Sequence, residues 1–261
     1  DEKPDEPLRP DLCVIGAGSA GLSVAAMAAS FGVSVVLVEK GAMGGECLNA
    51  GCVPSKALLA AAKLAHQVHG GSGDERDKTS IDFGRLRQHL RHVIASIAPM
   101  DSRERYRAMG VQVIEAEAKF TGTGTVLAGE QIIQARRFVI ATGSRPAIPP
   151  IPGLEQIPFL TNETIFDNKS LIPHLIIVGA GTTGLELAQA YRRLGSRVTV
   201  LDSAHALGDE DVLRAAVGGI TGELAERSLR QPFTRLDAAR EAEPGRMRDR
   251  VRSKILEASP S

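Results

Sequence analysis

The 261-residue sequence balances 31 basic against 31 acidic side chains and is 43% hydrophobic, enough apolar content for a sizeable core in one or two domains. Zero formal charge, 3% aromatic residues and no Trp argue against a nucleic-acid surface, which needs a basic field or stacking platforms. No apolar run is long enough to span a membrane, the acidic, proline-rich tail over residues 1–10 lacks a signal-peptide pattern, and three cysteines make no secreted disulfide scaffold, so a soluble cytoplasmic protein is expected.

A short apolar strand is predicted over residues 11–15. It runs into Gly16-Ala17-Gly18-Ser19-Ala20-Gly21, an alanine-rich helix to about residue 31, Gly32, and a second apolar strand over 33–38 closing on Glu39. Strand, glycine loop, helix, strand and terminal acid in register form a complete βαβ dinucleotide fingerprint. Gly16 permits the tight turn, Gly18 lets backbone approach a pyrophosphate, and Gly21 packs helix on strand. The helix N-terminus faces the phosphates, and Glu39 is placed to accept from a ribose hydroxyl. Cys13, inside the first strand, reads as core.

Next comes Gly44-Gly45-Glu46-Cys47-Leu48-Asn49-Ala50-Gly51-Cys52-Val53-Pro54-Ser55-Lys56, with a helix-forming run over 55–64. Residues five apart in an ideal helix have Cα atoms about 8.6 Å apart, whereas a disulfide needs roughly 4.4–6.8 Å. Cys47 and Cys52 therefore bond only if the backbone leaves ideal helix between them, a departure that Gly51 eases. Pro54 suits a first helical turn. The pair reads as redox-active at a helix N-terminus, where the dipole favours a thiolate. Two unreactive buried thiols fit the spacing alone equally well; the glycine fingerprints on either side favour redox work. Zinc is disfavoured, because His66 and His69 have only two residues between them and no finger hairpin surrounds them. No metal site is expected.

A polar loop over 70–80 precedes a helical pattern over 81–109, which Pro99 interrupts. Strand-like pieces over 111–114, 118–121, 125–127 and 131–133, separated by glycine-bearing turns, read as a β-meander. Another apolar strand, 137–141, ends in Ala141-Thr142-Gly143, and the proline-rich run 146–152 reads as a crossover between domains. The pattern then repeats: a strand over 174–178, Gly179-Ala180-Gly181-Thr182-Thr183-Gly184, a helix over 185–194, and a strand over 197–201 ending on Asp202. An acid there accepts from a ribose 2′-hydroxyl and repels a 2′-phosphate, so NAD(H) is preferred over NADP(H). Residues 212–261 are arginine-rich, diluted by acids, and read as a solvated tail.

Two fingerprints flanking a Cys-x4-Cys helix resemble the flavin-dependent pyridine nucleotide–disulfide oxidoreductases. GGECLNAGCVPSKALL is very close to that family's redox motif, and VIATGSRP and VGAGTTGLELA match two more. The likeness covers roughly residues 11 to 211 and is closest to the mercuric reductase-like and dihydrolipoamide dehydrogenase-like branch. It implies an α/β fold of two Rossmann-like FAD- and NAD(P)-binding βαβ domains with a small β-meander, the second domain incomplete. An FAD-binding part over 11–148 would be followed by the first half of an NAD-binding domain over 149–211. By this resemblance Gly16, Gly18, Gly21, Glu39, Lys40 and Gly45 would hold FAD, and the turn at Ala141, Thr142 and Gly143 would close over it. Cys52 would lie against the flavin as the charge-transfer thiolate and Cys47 would be the interchange thiol. Lys56 would sit near the flavin ring, pair with Glu186, and help the helix terminus lower a thiol pKa. Gly179, Gly181, Gly184 and Asp202 would bind NAD(H). Electrons would pass from NADH through FAD to the Cys47–Cys52 disulfide, and on to a small-molecule disulfide or a metal ion.

The departures from the pattern bear on turnover. Family members are nearly twice as long. The later NAD strands, the Gly-Asp motif for the rest of FAD, and the dimerisation domain with its His-Glu pair have no counterpart; Gly208-Asp209 and His205 do not substitute. A homodimer is the family's state, but its interface is not in this sequence. The alternative expectation is a non-catalytic nucleotide-binding remnant.

Overall fold

A computed structural model describes residues 6–68 and 81–202. His69, the loop over 70–80, His205, Gly208-Asp209 and the tail over 212–261 lie outside the described residues. The chain divides into two compact units. One takes in residues up to 57, 88–146 and 162–166; the other takes in 58–87, 147–161 and the described part from 167 on.

In chain order the first part carries β1 (Leu12–Ile15), α1 (Ser19–Ser30), β2 (Val35–Glu39), α2 (Gly45–Asn49) and α3 (Cys52–Val68). Then come α4 (Phe83–Ile97), a 3-10 turn (Ala98–Asp101) and α5 (Arg103–Ala108). The strands β3 (Gln112–Glu115), β4 (Ala118–Gly122), β5 (Thr125–Ala128), β6 (Gln131–Gln134) and β7 (Arg137–Ile140) follow. A four-stranded parallel sheet forms in the order β3-β2-β1-β7. Cys13 stands opposite Val36 and Phe138, and Val38 opposite Ile114.

The sheet is buried on both faces, which is why β1 and β2 read as continuous apolar runs rather than alternating ones. On one face Val14, Val35 and Leu37 pack with Leu22 and Ala25 of α1 and with Tyr106, Val111 and Val113. On the other, Cys13, Ile15, Val36 and Val38 meet Val126, Ala128 and Ile133 of the antiparallel sheet β4-β5-β6. Cys13 is thus core, as its place in the strand implied, and burial pushes its thiol up to about 11.

Pro99 does interrupt the long helical pattern: it falls in the 3-10 turn between α4 and α5. Ser102 caps α5, its hydroxyl accepting from Arg105 N at 3.2 Å. One strand is reassigned. The piece expected over 111–114 as part of the meander is β3, and it pairs parallel with β2. The reason is connectivity. The chain from β2 reaches β3 through helices and so arrives parallel, whereas β4, β5 and β6 are joined by short turns that force antiparallel pairing.

The Tyr106 hydroxyl donates to the Leu22 carbonyl at 3.2 Å in the buried core and ties α5 to α1. Tyr106→Phe keeps the ring and removes this bond. It is expected to lower stability by about 1 kcal/mol, read as a lower denaturant midpoint at unchanged slope.

The second unit contains β8 (His174–Val178), α6 (Thr182–Arg193) and β9 (Arg197–Leu201), with β8 and β9 parallel. Leu175, Leu187, Ala190, Tyr191 and Leu194 are buried. The Tyr191 ring centroid lies 6.4 Å from that of Phe83. At the start of the strands Arg197 Nη2 and His174 Nδ1 are 2.8 Å apart, and His174 Nε2 is 2.9 Å from Thr199 Oγ1, a network that fixes the imidazole.

Candidate active site: glycine loops and a cysteine pair

Each unit builds its glycine loop in the same way. Gly16 has φ +104 and its N–H donates to Val38 O at 2.8 Å; Gly179 has φ +111 and its N–H donates to Leu201 O at 2.8 Å. These positive φ values admit glycine with little strain. A Cβ on Gly21 would stand 1.8 Å from Gly16 O and 3.3 Å from a Val14 methyl. One on Gly184 would stand 2.1 Å from Gly179 O and 3.4 Å from an Ile177 methyl. The third glycine therefore lets the helix seat on its own loop as well as on the strand. Gly18 and Gly181 are the N-caps of α1 and α6, and neither has a side-chain cap bond. The unsatisfied N–H groups of the first helical turn are left to a ligand or water.

The two acids do something the sequence did not disclose. Glu39 Oε2 accepts from Ala17 N at 2.6 Å and Oε1 from Gly41 N at 2.7 Å. Asp202 accepts from Ala180 N. Each acid thus braces the second residue of its glycine loop. A carboxylate has about four acceptor sites, so a ribose hydroxyl can still be accepted. Lys40 Nζ lies 3.0 Å from Glu117 in an exposed ion pair.

The cysteine stretch docks on the first loop. Gly44 N donates to Ala17 O at 2.9 Å. Gly45 has φ +58, and a Cβ on it would stand 2.6 Å from Gly18 Cα. Two glycines meeting backbone to backbone bring α2, and hence Cys47, against the fingerprint. On the other side Ala141 N donates to Ile15 O at 2.8 Å, and Ala141 O would be 2.2 Å from a Cβ on Gly16. The turn at Ala141, Thr142 and Gly143 therefore borders the same loop. All these groups belong to one unit; Gly16, Gly21 and Gly45 pack backbone on backbone, while Gly18 and Gly143 leave bare backbone with room beside it. The site fits a dinucleotide.

Cys47 lies in α2, half-buried, and Cys52 opens α3, exposed; both are free thiols. The backbone does leave the helix between them, as their spacing required, but at Ala50, with φ −143 and ψ 8. Gly51 acts by close approach instead: a Cβ there would stand 3.0 Å from Glu46 O and 3.4 Å from Cys47 Cα. Pro54 sits in the first turn of α3, as expected. Asn49 Nδ2 staples α2 by donating to Gly45 O at 2.8 Å and Met43 O at 3.1 Å.

The Cys47 thiol is held above its ordinary value. Its hydrogen bond with the Cys52 thiol raises it, burial and the Cys52 charge add to this, and the Cys52 backbone N–H at the start of α3 offsets only part; the Asp101 charge raises it further. The helix terminus does act on this sulfur, but desolvation and the second sulfur outweigh it. Lys56 is exposed and Glu186 half-buried; they lie in different units.

Three residues of the site had escaped the sequence reading: Asn49, Asp101 and Asn162, whose Nδ2 donates to Glu46 Oε1 at 2.6 Å. An Asn four positions after a helix-opening glycine is a local signal for the first. The other two come from 54 and 115 residues beyond Cys47 and left no local signal. Among the described residues no group of three or more His, Cys, Asp and Glu side chains is placed to hold a metal ion, and no helix is long and apolar enough to cross a membrane.

The family described as pyridine nucleotide-disulphide oxidoreductase matches residues 10–227, well over half of the chain. The chain belongs to this family. Membership implies a flavin and a nicotinamide cofactor at the level of the family. Among curated relatives, the chain is 37% identical over 223 residues to a mercuric reductase of Streptomyces lividans, covering 82% of this chain and 47% of that one. It is 33% identical over 199 residues to a mercuric reductase of Lysinibacillus sphaericus, covering 76% and 36%. Among solved structures it resembles the copper(II) complex of RclA, an HOCl-induced flavoprotein disulfide reductase of Escherichia coli. The TM-score is 0.65 at 28% identity, over 81% of this chain and 47% of that one. The chain thus spans about half the length, or less, of the relatives it matches.

Proposed function

We propose that the chain carries the flavin and redox-disulfide half of an NADH-dependent reductase. Residues 11–148 bind FAD and 149–211 begin the NAD(H) domain. The observation that carries this reading is the docking of Gly44 and Gly45 on Ala17 and Gly18, which joins the redox cysteines to the first dinucleotide loop.

When bound, the flavin supplies hydride chemistry. The chain's own residues do the rest. Gly16, Gly18, Gly21 and Gly45 clear the space, and the N-terminal N–H groups of α1 offer donors to phosphate oxygens. Glu39, with Lys40 beside it, takes the ribose side. Ala141, Thr142 and Gly143 border the loop. Gly179, Gly181, Gly184 and Asp202 serve the nicotinamide nucleotide, and the Asp202 charge disfavours a 2′-phosphate. Lys56 serves the flavin side, and Glu186 belongs to the nicotinamide-nucleotide unit. Cys47 and Cys52 accept two electrons and two protons as a disulfide and become two thiols. They then return both to a small disulfide by exchange, Cys47 attacking as thiolate, or pass the two electrons to a metal-ion substrate such as the mercuric ion named in the relatives and release the two protons to solvent.

The test is the visible spectrum and the thiol count of the purified chain before and after anaerobic NADH. The expected result is a bound-flavin spectrum, with NADH converting Cys47–Cys52 into two titratable thiols faster than NADPH does. A colourless protein that cannot be reconstituted with FAD would overturn the reading and leave a nucleotide-binding remnant.

A further inference from the structure

We propose that Asp101 is a positioning residue of the cysteine pair: its carboxylate, seated over the Gly44 turn that opens α2, opposes negative charge on the Cys47 sulfur and leaves the thiolate of the reduced pair to Cys52. This rests on the reading of the two cysteines as a redox pair.

The geometry comes from three elements of one unit. Gly44, at φ +86, is the N-cap of α2. A Cβ on it would stand 3.1 Å from Asp101 Oδ2, so the carboxylate rests on the bare backbone of the turn three residues before Cys47. Asp101 closes the 3-10 turn after Pro99 and is half-buried. Among the described residues it has no cation in ion-pair contact. Its electrostatic reach is visible on both sides, since it raises the Cys47 thiol and the Tyr106 phenol alike.

Among the described residues, two side chains act on the Cys47 thiol. Cys52 comes from α3 and Asp101 from the turn. Glu46, its neighbour in α2, is engaged by Asn162. Tyr106 faces Asp101 from α5, with Arg105 over its ring at 5.8 Å. Arg105 Nη1 donates to the carbonyl of Met100, the residue before Asp101. Two thiols in hydrogen-bond contact share one negative charge most readily if one of them is discouraged from ionising. A carboxylate with no ion-pair partner among the described residues, seated at the start of α2, supplies that bias. Its consequence is a division of labour: Cys47 stays protonated until a substrate arrives, which protects it from adventitious electrophiles, because the thiolate is the reactive form.

The experiment is the pH dependence of iodoacetamide capture at Cys47 in the reduced full chain, resolved from Cys52 by fragmentation of the shared peptide. Asp101→Asn is expected to move the Cys47 midpoint down by about half a pH unit, or roughly threefold more thiolate below the midpoint. Asp101→Glu, which keeps the charge, is expected to follow the wild type. An unmoved midpoint in Asp101→Asn, or an equal shift in Asp101→Glu, would overturn the proposal. Asp101→Ser removes the same charge should the Asn variant not fold. Treatment of the wild-type chain with diamide separates the two readings. If Cys47 and Cys52 do not pair, the redox reading fails. If they pair and the Asn variant keeps the wild-type profile, only the role of Asp101 fails.

Discussion

Cys52→Ser is expected to bring NADH-dependent reduction of any disulfide or metal-ion substrate down to background while leaving the fold and FAD retention in place. The side chain is exposed and opens α3, so its replacement leaves no cavity, and serine is an acceptable residue at a helix start. The chemistry has no such tolerance. With Cys52 gone, Cys47 has no partner sulfur in reach: the remaining cysteine, Cys13, is buried in β1. Cys47→Ser is expected to give the same loss by removing the other half of the disulfide. The two variants differ in one respect. Cys52→Ser removes the hydrogen bond that does most to raise the Cys47 thiol, so the remaining Cys47 should ionise at lower pH than in the wild-type dithiol. Peptide mapping of thiols after diamide, together with NADH oxidation in the presence of a small disulfide, checks the result. Retention of NADH-dependent disulfide reduction by either variant would sink the assignment of the pair.

Gly21→Ala is expected to be among the most damaging single-methyl changes in the chain. The new Cβ would lie 1.8 Å from Gly16 O, with a Val14 methyl at 3.3 Å. The obstacle is backbone, held in turn by the bond from Gly16 N to Val38 O, so α1 must lift off β1 or the loop must open. Overpacking of this kind costs typically 1–3 kcal/mol and more where backbone has to move; about 3 kcal/mol is expected here, with loss of FAD retention. Gly18→Ala is the informative contrast. Its Cβ would meet only Gly45 Cα, at 3.8 Å, and its φ of −82 suits alanine. It should cost the apo fold within about 0.5 kcal/mol and yet weaken FAD binding, because the methyl occupies the side of the loop left bare. Denaturant unfolding of the apo forms, followed by FAD titration, distinguishes the two. Equal stability of Gly21→Ala and wild type would mean that the loop is not built as described.

Much of the architecture was legible in the residues because it depends on local rules. Both βαβ units follow from apolar runs of strand length meeting G-x-G-x-x-G, and each ends on its acid. Pro99 breaks its helix because a ring without an N–H cannot continue the ladder. The need for a break between Cys47 and Cys52 follows from helix geometry alone. Where the break falls does not: Ala50 carries it, and Gly51 is glycine because Glu46 O and Cys47 Cα press on it. The membership of β3 in the parallel sheet was misread because a four-residue strand has the same alternation whichever partner it takes, and partner choice is made by the path of the chain.

By itself, then, the sequence determined the two glycine loops, the strands and helices that carry them, the buried place of Cys13 and the cysteine pair that marks the family. Each of these is a matter of backbone conformation or burial within a few consecutive residues. Only the tertiary structure decided that Gly45 lies on Gly18, that Glu39 and Asp202 brace Ala17 and Ala180, that Asn162 holds Glu46, and that the Asp101 carboxylate seats over the Gly44 turn. Those are contacts between residues 22 to 116 positions apart. They exist because packing brings distant segments together, and electrostatic effects on a thiol depend on distance in space and desolvation, neither of which is written in the order of the residues.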